Sequence, residues 1–386
     1  MTPHSALSTP HLKWGIIGGG LMGREFASAL GRWFALNDPA VPPAQLVAVC
    51  DTNPGALGWF ERVPTIQQLT SSADELLANA DVDAVYIALP HNLHREFYLR
   101  ALRAGKDLLA EKPFGADLSD ALAVRDEAKE LGRFVRCSSE MPFFPGAQRV
   151  WKVLSEDLDS LGRVLEVRAG FHHSSDLDES KPANWKRQSA TCGEPGAMND
   201  LGMHVAHLPL RLGWKPTRVY AQLQRGVPMR PDGRGGSVAC DTWDNALLHC
   251  DVLIGGQEVP MRWETKRLAP GEMNTWFIEV LGTRGGVAFS TKHPKTPRTF
   301  AFENGAQTWR ESDVGHASAF ETVTGGIFEF GFPDSILQML AAFASERAGT
   351  LGTRFGMATP DEAVASHGVW QAALRSHAEK RAVDVE

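Results

Sequence analysis

The run Lys13-Trp14-Gly15-Ile16-Ile17 passes directly into Gly18-Gly19-Gly20-Leu21-Met22-Gly23, after which Phe26, Ala27, Leu30 and Phe34 recur at helical spacing. A buried strand, a G-x-G-x-x-G turn and an amphipathic helix, in that order, open a βαβ unit and leave few folds available. Each glycine has a physical task. Gly18 permits the tight turn, Gly20 lets a pyrophosphate approach the backbone, and Gly23 lets the helix close on the sheet. The pyrophosphate would meet free N–H groups at the helix start, with Leu21 and Met22 inside the binding turn. A chance glycine cluster in a loop would lack these flanking elements.

The next apolar run, Leu46 to Cys50, ends in Asp51. An acid there accepts hydrogen bonds from ribose hydroxyls and repels a 2′-phosphate, which favours NAD, with NADP as the alternative. Asp51 lies 28 residues past Gly23, where about 20 is usual; the stretch Asn37 to Pro43 reads as a loop insertion. Asp51 also suits a cap on the turn Asp51-Thr52-Asn53-Pro54. Ser72 to Glu75 reads as a capping box. Strands at Ala84–Leu89, Asp107–Ala110 and Phe134–Cys137 alternate with helices, one of them Ser119–Leu131, which predicts a parallel sheet with right-handed crossovers. Ligands bind at the carboxyl ends of such strands, and there stand Asp51, the loop Pro90-His91-Asn92-Leu93-His94, and Glu111-Lys112-Pro113. A lysine at that last point reaches the reacting end of a bound nicotinamide.

Beyond about residue 145 the pattern changes to successive strands: Val164–Phe171, Arg218–Gln224, Ala246–Leu253, Glu258–Thr265, Phe277–Leu281 and Val287–Phe289, with glycine turns between them. Ile336–Ala344 and Pro360–Ala378 read as helices. The fold class is α/β: a doubly wound parallel Rossmann sheet, then an α+β domain on an open, mainly antiparallel sheet. The boundaries read as a disordered tail over 1–11, a dinucleotide-binding domain over 12–141 and a substrate and oligomerisation domain over 142–386. The last helix is expected to return to the first domain.

Within the second domain, Asp200 and His204 stand four apart on a predicted helix and share a face. A carboxylate one turn from an imidazole can orient it as a general base; a lone hydrogen-bonded core histidine is the plainer alternative. Pro209 predicts a helix that is short or kinked there. His172-His173 lie on a strand and point to opposite faces, so neither is assigned a role. Trp185, beside Lys186, offers a face for a sugar ring or a packed core residue.

A net charge of −7 at pH 7 gives no reason to expect nucleic acid or an anionic membrane as partner. No apolar run approaches a membrane span. The N-terminus has no apolar core of a secretory signal. Five scattered cysteines without a CxxC pair predict reduced thiols in a cytoplasm and no structural zinc. H-E-x-x-H is absent, so no metal is assigned. Eleven tryptophans against three tyrosines read mostly as core.

Taken in order, Gly18 to Gly23, Glu111-Lys112-Pro113 and Asp200-x-Gly202-x-His204 resemble the glucose–fructose oxidoreductase/inositol dehydrogenase/rhizopine-catabolism (Gfo/Idh/MocA) family from Trp14 to about Val383. Leu89-Pro90-His91-Asn92-Leu93-His94 is similar to that family's T-P-N-x-x-H loop, which implies cofactor contacts from Pro90, Asn92 and His94 beside Glu111 and Lys112. The resemblance implies NAD(P)-dependent oxidation or reduction of a sugar, polyol or related hydroxyl compound. It further implies that Lys112, Asp200 and His204 are catalytic, and that the second sheet joins copies into a homodimer or homotetramer. Trp185 and Lys186 join these three as expected substrate contacts. A cis Lys112–Pro113 bond is expected to aim the lysine. The chain departs from many relatives in having His207 for an aspartate, Pro195 for a glycine, and no arginine in Glu140 to Pro145. Two other functions fit the same fold: a glycoside hydrolase or lyase that uses tightly bound NAD transiently, and a sugar or nucleotide sensor without catalysis.

Overall fold

The computed structural model describes residues 11–386; apart from His11, the predicted N-terminal tail lies outside them. Six strands, β1 (Leu12–Ile17), β2 (Ala44–Cys50), β3 (Gln68–Thr70), β4 (Ala84–Ile87), β5 (Asp107–Ala110) and β6 (Val135–Cys137), form a sheet ordered β3-β2-β1-β4-β5-β6. All pairings are parallel. Continuous burial of Ala84 to Ile87 matches helices on both faces. The strand order reverses between β1 and β4, so their outgoing loops open a crevice at the carboxyl edge. Ser72 caps the helix Ala73–Ala78 through the Glu75 N–H, but the Glu75 side chain accepts from Thr70 Oγ1, so the predicted box is half formed.

The second sheet is built from β7 (Val164–His173), β8 (Pro216–Gln224), β11 (Asn245–Ile254), β12 (Gln257–Lys266), β13 (Asn274–Gly282), β14 (Gly285–Ser290), β15 (Arg298–Glu303), β16 (Ala306–Glu311) and β17 (Val383–Asp384), while β9 (Met229–Pro231) and β10 (Ser237–Ala239) pair apart from it. Its order is β16-β15-β14-β13-β7-β12-β11-β8-β17. Only β7 and β12 pair in parallel, which makes the sheet mixed but mainly antiparallel. The period-2 burial of β11, with Ala246, Leu248, Cys250 and Val252 inward, gives the sheet one covered face.

The helices Ala197–Arg211 and Pro360–Glu379 lie on that face. A Cβ on Gly202 would meet the Trp370 ring at 2.3 Å, so glycine allows the close crossing of the two helices. Trp14, Trp263, Trp276 and Trp370 are core residues. Contrary to the prediction of a short helix, Ala197–Arg211 continues through Pro209. The proline lies in the last turn, and Leu212 still donates to the Leu208 and Pro209 carbonyls, so the loss of one N–H there is tolerated. The chain then returns to the first sheet. Helix Phe332–Ala348 packs on Leu21–Gly31, bringing Phe343 against Trp14 at 4.8 Å, and Cys137 N–H donates to Ala358 O at 2.8 Å. Helix Pro360–Glu379 packs on Leu118–Glu130 as well as on β8. Among the described residues no helix is long and apolar enough to cross a membrane, and no group of three or more His, Cys, Asp or Glu side chains is placed to hold a metal.

Candidate active site

The turn after β1 has the shape a dinucleotide needs. Gly18 sits at φ +106°, and a Cβ there would come 2.3 Å from Ala88 O. A Cβ on Gly23 would come 2.2 Å from Gly18 O, whereas one on Gly20 would meet nothing. The backbone at Gly20 thus faces open space at the start of the helix Leu21–Gly31, where first-turn N–H groups lack helical partners. Leu21 is exposed beside it. The Asp51 carboxylate accepts from Gly19 N–H through Oδ2 and from Asn53 N–H through Oδ1, both at 2.7 Å. It therefore caps its own turn and also stands at the rim of a cavity of about 250 Å³ lined by Ile17, Gly18, Thr52, Leu89 and Phe97. An open glycine backbone, a helix N-terminus and an acid at the end of β2 fit a dinucleotide.

At the ends of β4 and β5 the chain is tightly bonded. Buried Glu111 accepts from the Tyr86 hydroxyl, the Ser138 hydroxyl (2.8 Å) and the Lys112 N–H (3.1 Å). The Lys112–Pro113 bond is cis. His94 faces Pro113 O with Nδ1 (2.7 Å) and Leu89 O with Nε2 (2.9 Å). Burial holds His94 below its ordinary pKa, so the neutral ring donates to one of these carbonyls only while lying against both loops. Pro90 leads into a short turn over His91–Leu93, in which Asn92 is exposed. His91 Nδ1 lies 2.9 Å from Cys192 O, and its ring stands edge-on to Trp185 at 4.7 Å.

Lys112 reaches across to the second sheet's helix. Its Nζ donates to Asp200 O at 2.8 Å and Asp200 Oδ1 at 3.1 Å. Lys186 Nζ also donates to Oδ1, at 2.9 Å, and Arg267 Nη2 lies 3.2 Å from Oδ2. Burial alone would raise the Asp200 pKa, but Lys112, Lys186 and Arg267 outweigh it and hold the acid well below the usual carboxylate range. Burial likewise opposes the charge on Lys112, yet Asp200, Glu111 and Glu140 push its pKa up to about 12. Burial holds Lys186 below its ordinary value. Lys186 also lies over the half-buried Trp185 ring at 5.5 Å.

His204 differs from the sequence expectation in its partner. Asp200 shares its helix face but gives its carboxylate to the three cations, and no hydrogen bond joins it to the imidazole. The acid nearest the ring is Glu140, whose Oε2 lies 3.8 Å from His204 Nδ1. Burial and then Lys112 keep His204 well below its ordinary pKa, so the ring is neutral at pH 7. Glu140 is raised to about 7 by burial and by the Glu111 charge. His172 and His173 do take opposite faces: His172 meets Glu264 at 3.2 Å on the outer face. His173, given no role from sequence, points to the Asp200 cluster and is brought down to about 4 by burial. Arg267, Glu140 and His173 were therefore missed. Alternation along β7 would have found His173; nothing local marks Arg267. His207 is buried against Phe355, away from this cluster.

Comparison with known proteins agrees with the fold. A family model described as "Oxidoreductase family, NAD-binding Rossmann fold" matches residues 12–139, and a second, "GFO/IDH/MocA C-terminal domain", matches 128–288. Levoglucosan dehydrogenase of Pseudarthrobacter phenanthrenivorans is 26% identical over 294 residues, 72% of this chain and 74% of that protein. Trans-1,2-dihydrobenzene-1,2-diol dehydrogenase of Sus scrofa is 28% identical over 241 residues, 59% of this chain and 68% of that protein. Among solved structures, a levoglucosan dehydrogenase in complex with NADH and L-sorbose superposes with a TM-score of 0.85 at 22% identity, covering 97% of this chain and 99% of that one.

Proposed function

The chain belongs to the GFO/IDH/MocA family of NAD-binding oxidoreductases, and from that premise we propose that it oxidises or reduces a secondary hydroxyl of a sugar, polyol or related compound. The observation that carries this is the junction of the two sheets: Lys112, at the end of β5, donates to Asp200, one helical turn before His204. When bound, the nicotinamide supplies the hydride acceptor or donor. Neutral His204 receives the hydroxyl proton on its Nε2 lone pair. Lys112 donates to the same oxygen and stabilises the negative charge that grows there. Asp200 holds the ammonium groups of Lys112 and Lys186 in place. Trp185 and Lys186 border the substrate, the indole offering an apolar face for a ring. Asp51 receives the ribose hydroxyls and favours NAD.

The outer face of β7, β12 and β13, which carries Arg168, His172, Glu264 and Glu279, is the surface on which copies pair into a homodimer or homotetramer. Five buried, unbridged cysteines support a reducing cytoplasm. The test is a panel of sugars and polyols followed at the NADH absorbance band with NAD and with NADP. Lys112→Ala and His204→Ala should each abolish turnover of the substrate found; unchanged turnover in either would remove that residue from the site. Glycoside cleavage without net NADH would point to the hydrolase or lyase, and tight sugar binding without chemistry to the sensor.

A further inference from the structure

We propose that Glu140, and not Asp200, is the carboxylate that sets the tautomer of His204, and so leaves Nε2 free to take a proton; this rests on the reading of His204 as the base. A neutral imidazole carries one N–H and one lone pair, and the partner of one nitrogen decides which is which. His204 Nδ1 is fully buried and has no hydrogen-bond partner. Among the described residues the one carboxylate within ion-pair distance of it is Glu140, at 3.8 Å. Asp200 comes within ion-pair distance of Lys112, Lys186 and Arg267 but not of the His204 ring. Glu140 is the opposite case: His204 is its one ion-pair partner among the described residues.

Both groups are held rigidly. Glu140 precedes the short turn Met141–Phe143 in a segment buried from Ser138 to Ala147. On the other side, Trp276 Nε1 donates to His204 O at 2.8 Å and Phe171 stands edge-on to the imidazole at 5.2 Å. At 3.8 Å the carboxylate already favours an N–H on the nitrogen that faces it, so the tautomer is set before substrate arrives; a full hydrogen bond needs only a further approach of about 1 Å. With Nδ1–H donated to Glu140, the substrate's O–H bond breaks as Nε2–H forms, and the imidazolium charge is offset by the carboxylate. Glu140 is thus a positioning residue acting through His204. A glutamine could instead donate its amide to Nδ1 and lock the ring in the other tautomer, with Nε2 protonated and unable to accept.

The test is ¹⁵N NMR of histidine-labelled protein without substrate, with His204→Asn assigning the signal. At pH 8 the wild type should show a pyrrole-type Nδ1 and a pyridine-type Nε2 at His204. Glu140→Gln should invert the pair and Glu140→Asp should keep it. A wild-type pyridine-type Nδ1, or an unchanged pattern in Glu140→Gln, overturns the proposal. Should Glu140→Gln fail to fold, a wild-type titration decides the matter. Glu140 is faced by Glu111, Lys112, Tyr86, Cys137 and His204; protonating it below pH 7 should turn it into a donor and invert the tautomer, and a constant pattern from pH 8 to pH 5 would refute the assignment. In turnover, Glu140→Gln should lower kcat by about 10²- to 10⁴-fold, as loss of a base's correct tautomer does elsewhere, with KM little changed and partial recovery in Glu140→Asp. Because the tautomer is read without substrate, failure to find a sugar substrate would count against the dehydrogenase reading alone.

Discussion

Asp200→Asn should destabilise the protein by about 3–5 kcal/mol, the range for breaking a buried ion pair from one side. The figure follows from the surroundings of the carboxylate. Its oxygens lie 2.9 Å from Lys186, 3.1 Å from Lys112 and 3.2 Å from Arg267, and the side chains of Asp200, Lys112 and Arg267 are 8%, 16% and 2% exposed. Each pair contributes a gross attraction of about 5 kcal/mol at an effective dielectric near 20. Desolvation of the four groups cancels most of the sum while the acid is present. Asparagine keeps the shape and one acceptor oxygen but removes the negative charge that the three cations share, leaving them to repel one another with only Lys186, 33% exposed, in partial reach of water. The assay is urea unfolding at pH 7.5 followed by tryptophan fluorescence. Asp200→Asn/Arg267→Met, which removes one cation as well, should recover part of the loss. A change below about 1 kcal/mol in Asp200→Asn, a typical surface ion-pair value, would refute the view that Asp200 is the electrostatic hub of the site.

Gly23→Ala should weaken NADH binding about 10- to 100-fold, since the new Cβ must move away from Gly18 O, 2.2 Å distant; an unchanged Kd by nicotinamide fluorescence would refute the tight turn. Asp51→Ala should raise the preference for NADP over NAD about tenfold or more, the loss expected for a hydrogen bond to a charged acceptor, and an unaltered ratio of kcat/KM values would free Asp51 of that role. Burial raises Glu140 from 4.5 to about 7, so between those values the folded protein holds a proton that the unfolded chain has released. Glu140 therefore contributes stability that is present below pH 4.5 and lost as pH rises to about 7, at most about 3 kcal/mol. Glu140→Gln should remove that component from the pH–stability curve of unfolding, and superimposable curves would refute it. The buried histidines, His204 and His207 among them, carry lowered pKa values and act in the other direction, losing stability as pH falls below 6.5.

What the sequence disclosed divides along the range of the interactions. The first sheet is read from local rules: apolar runs of four to seven residues, glycines at defined turns and caps at helix starts, all within a few residues of what they specify. Even the half-formed box at Ser72 still caps its helix. The hairpin of β15 and β16 escaped because its strands are mostly exposed, so burial imposes no alternation on them. The return of Phe332–Ala348 and Ala358 to the first sheet escaped for another reason. It pairs residues some 200 positions apart, such as Cys137 with Ala358, and no local pattern encodes that register.

The site divides in the same way. Lys112, Asp200 and His204 are legible because each sits in a short motif, and the helical period rightly put the last two on one face. That period states which residues share a face but not which charges meet it from elsewhere. Arg267, at the end of β12, and Lys186, before the helix, reach Asp200 from separate elements and take the carboxylate that spacing alone had given to His204. The imidazole is left to Glu140, at the end of the other sheet. The absence of an arginine from Glu140 to Pro145 therefore has a positive counterpart. An arginine at position 140 would add a fourth cation to Lys112, Lys186 and Arg267 and face Nδ1 with donors, favouring the tautomer that cannot accept a proton at Nε2. A glutamate provides the acceptor and lowers the positive excess around the substrate oxygen.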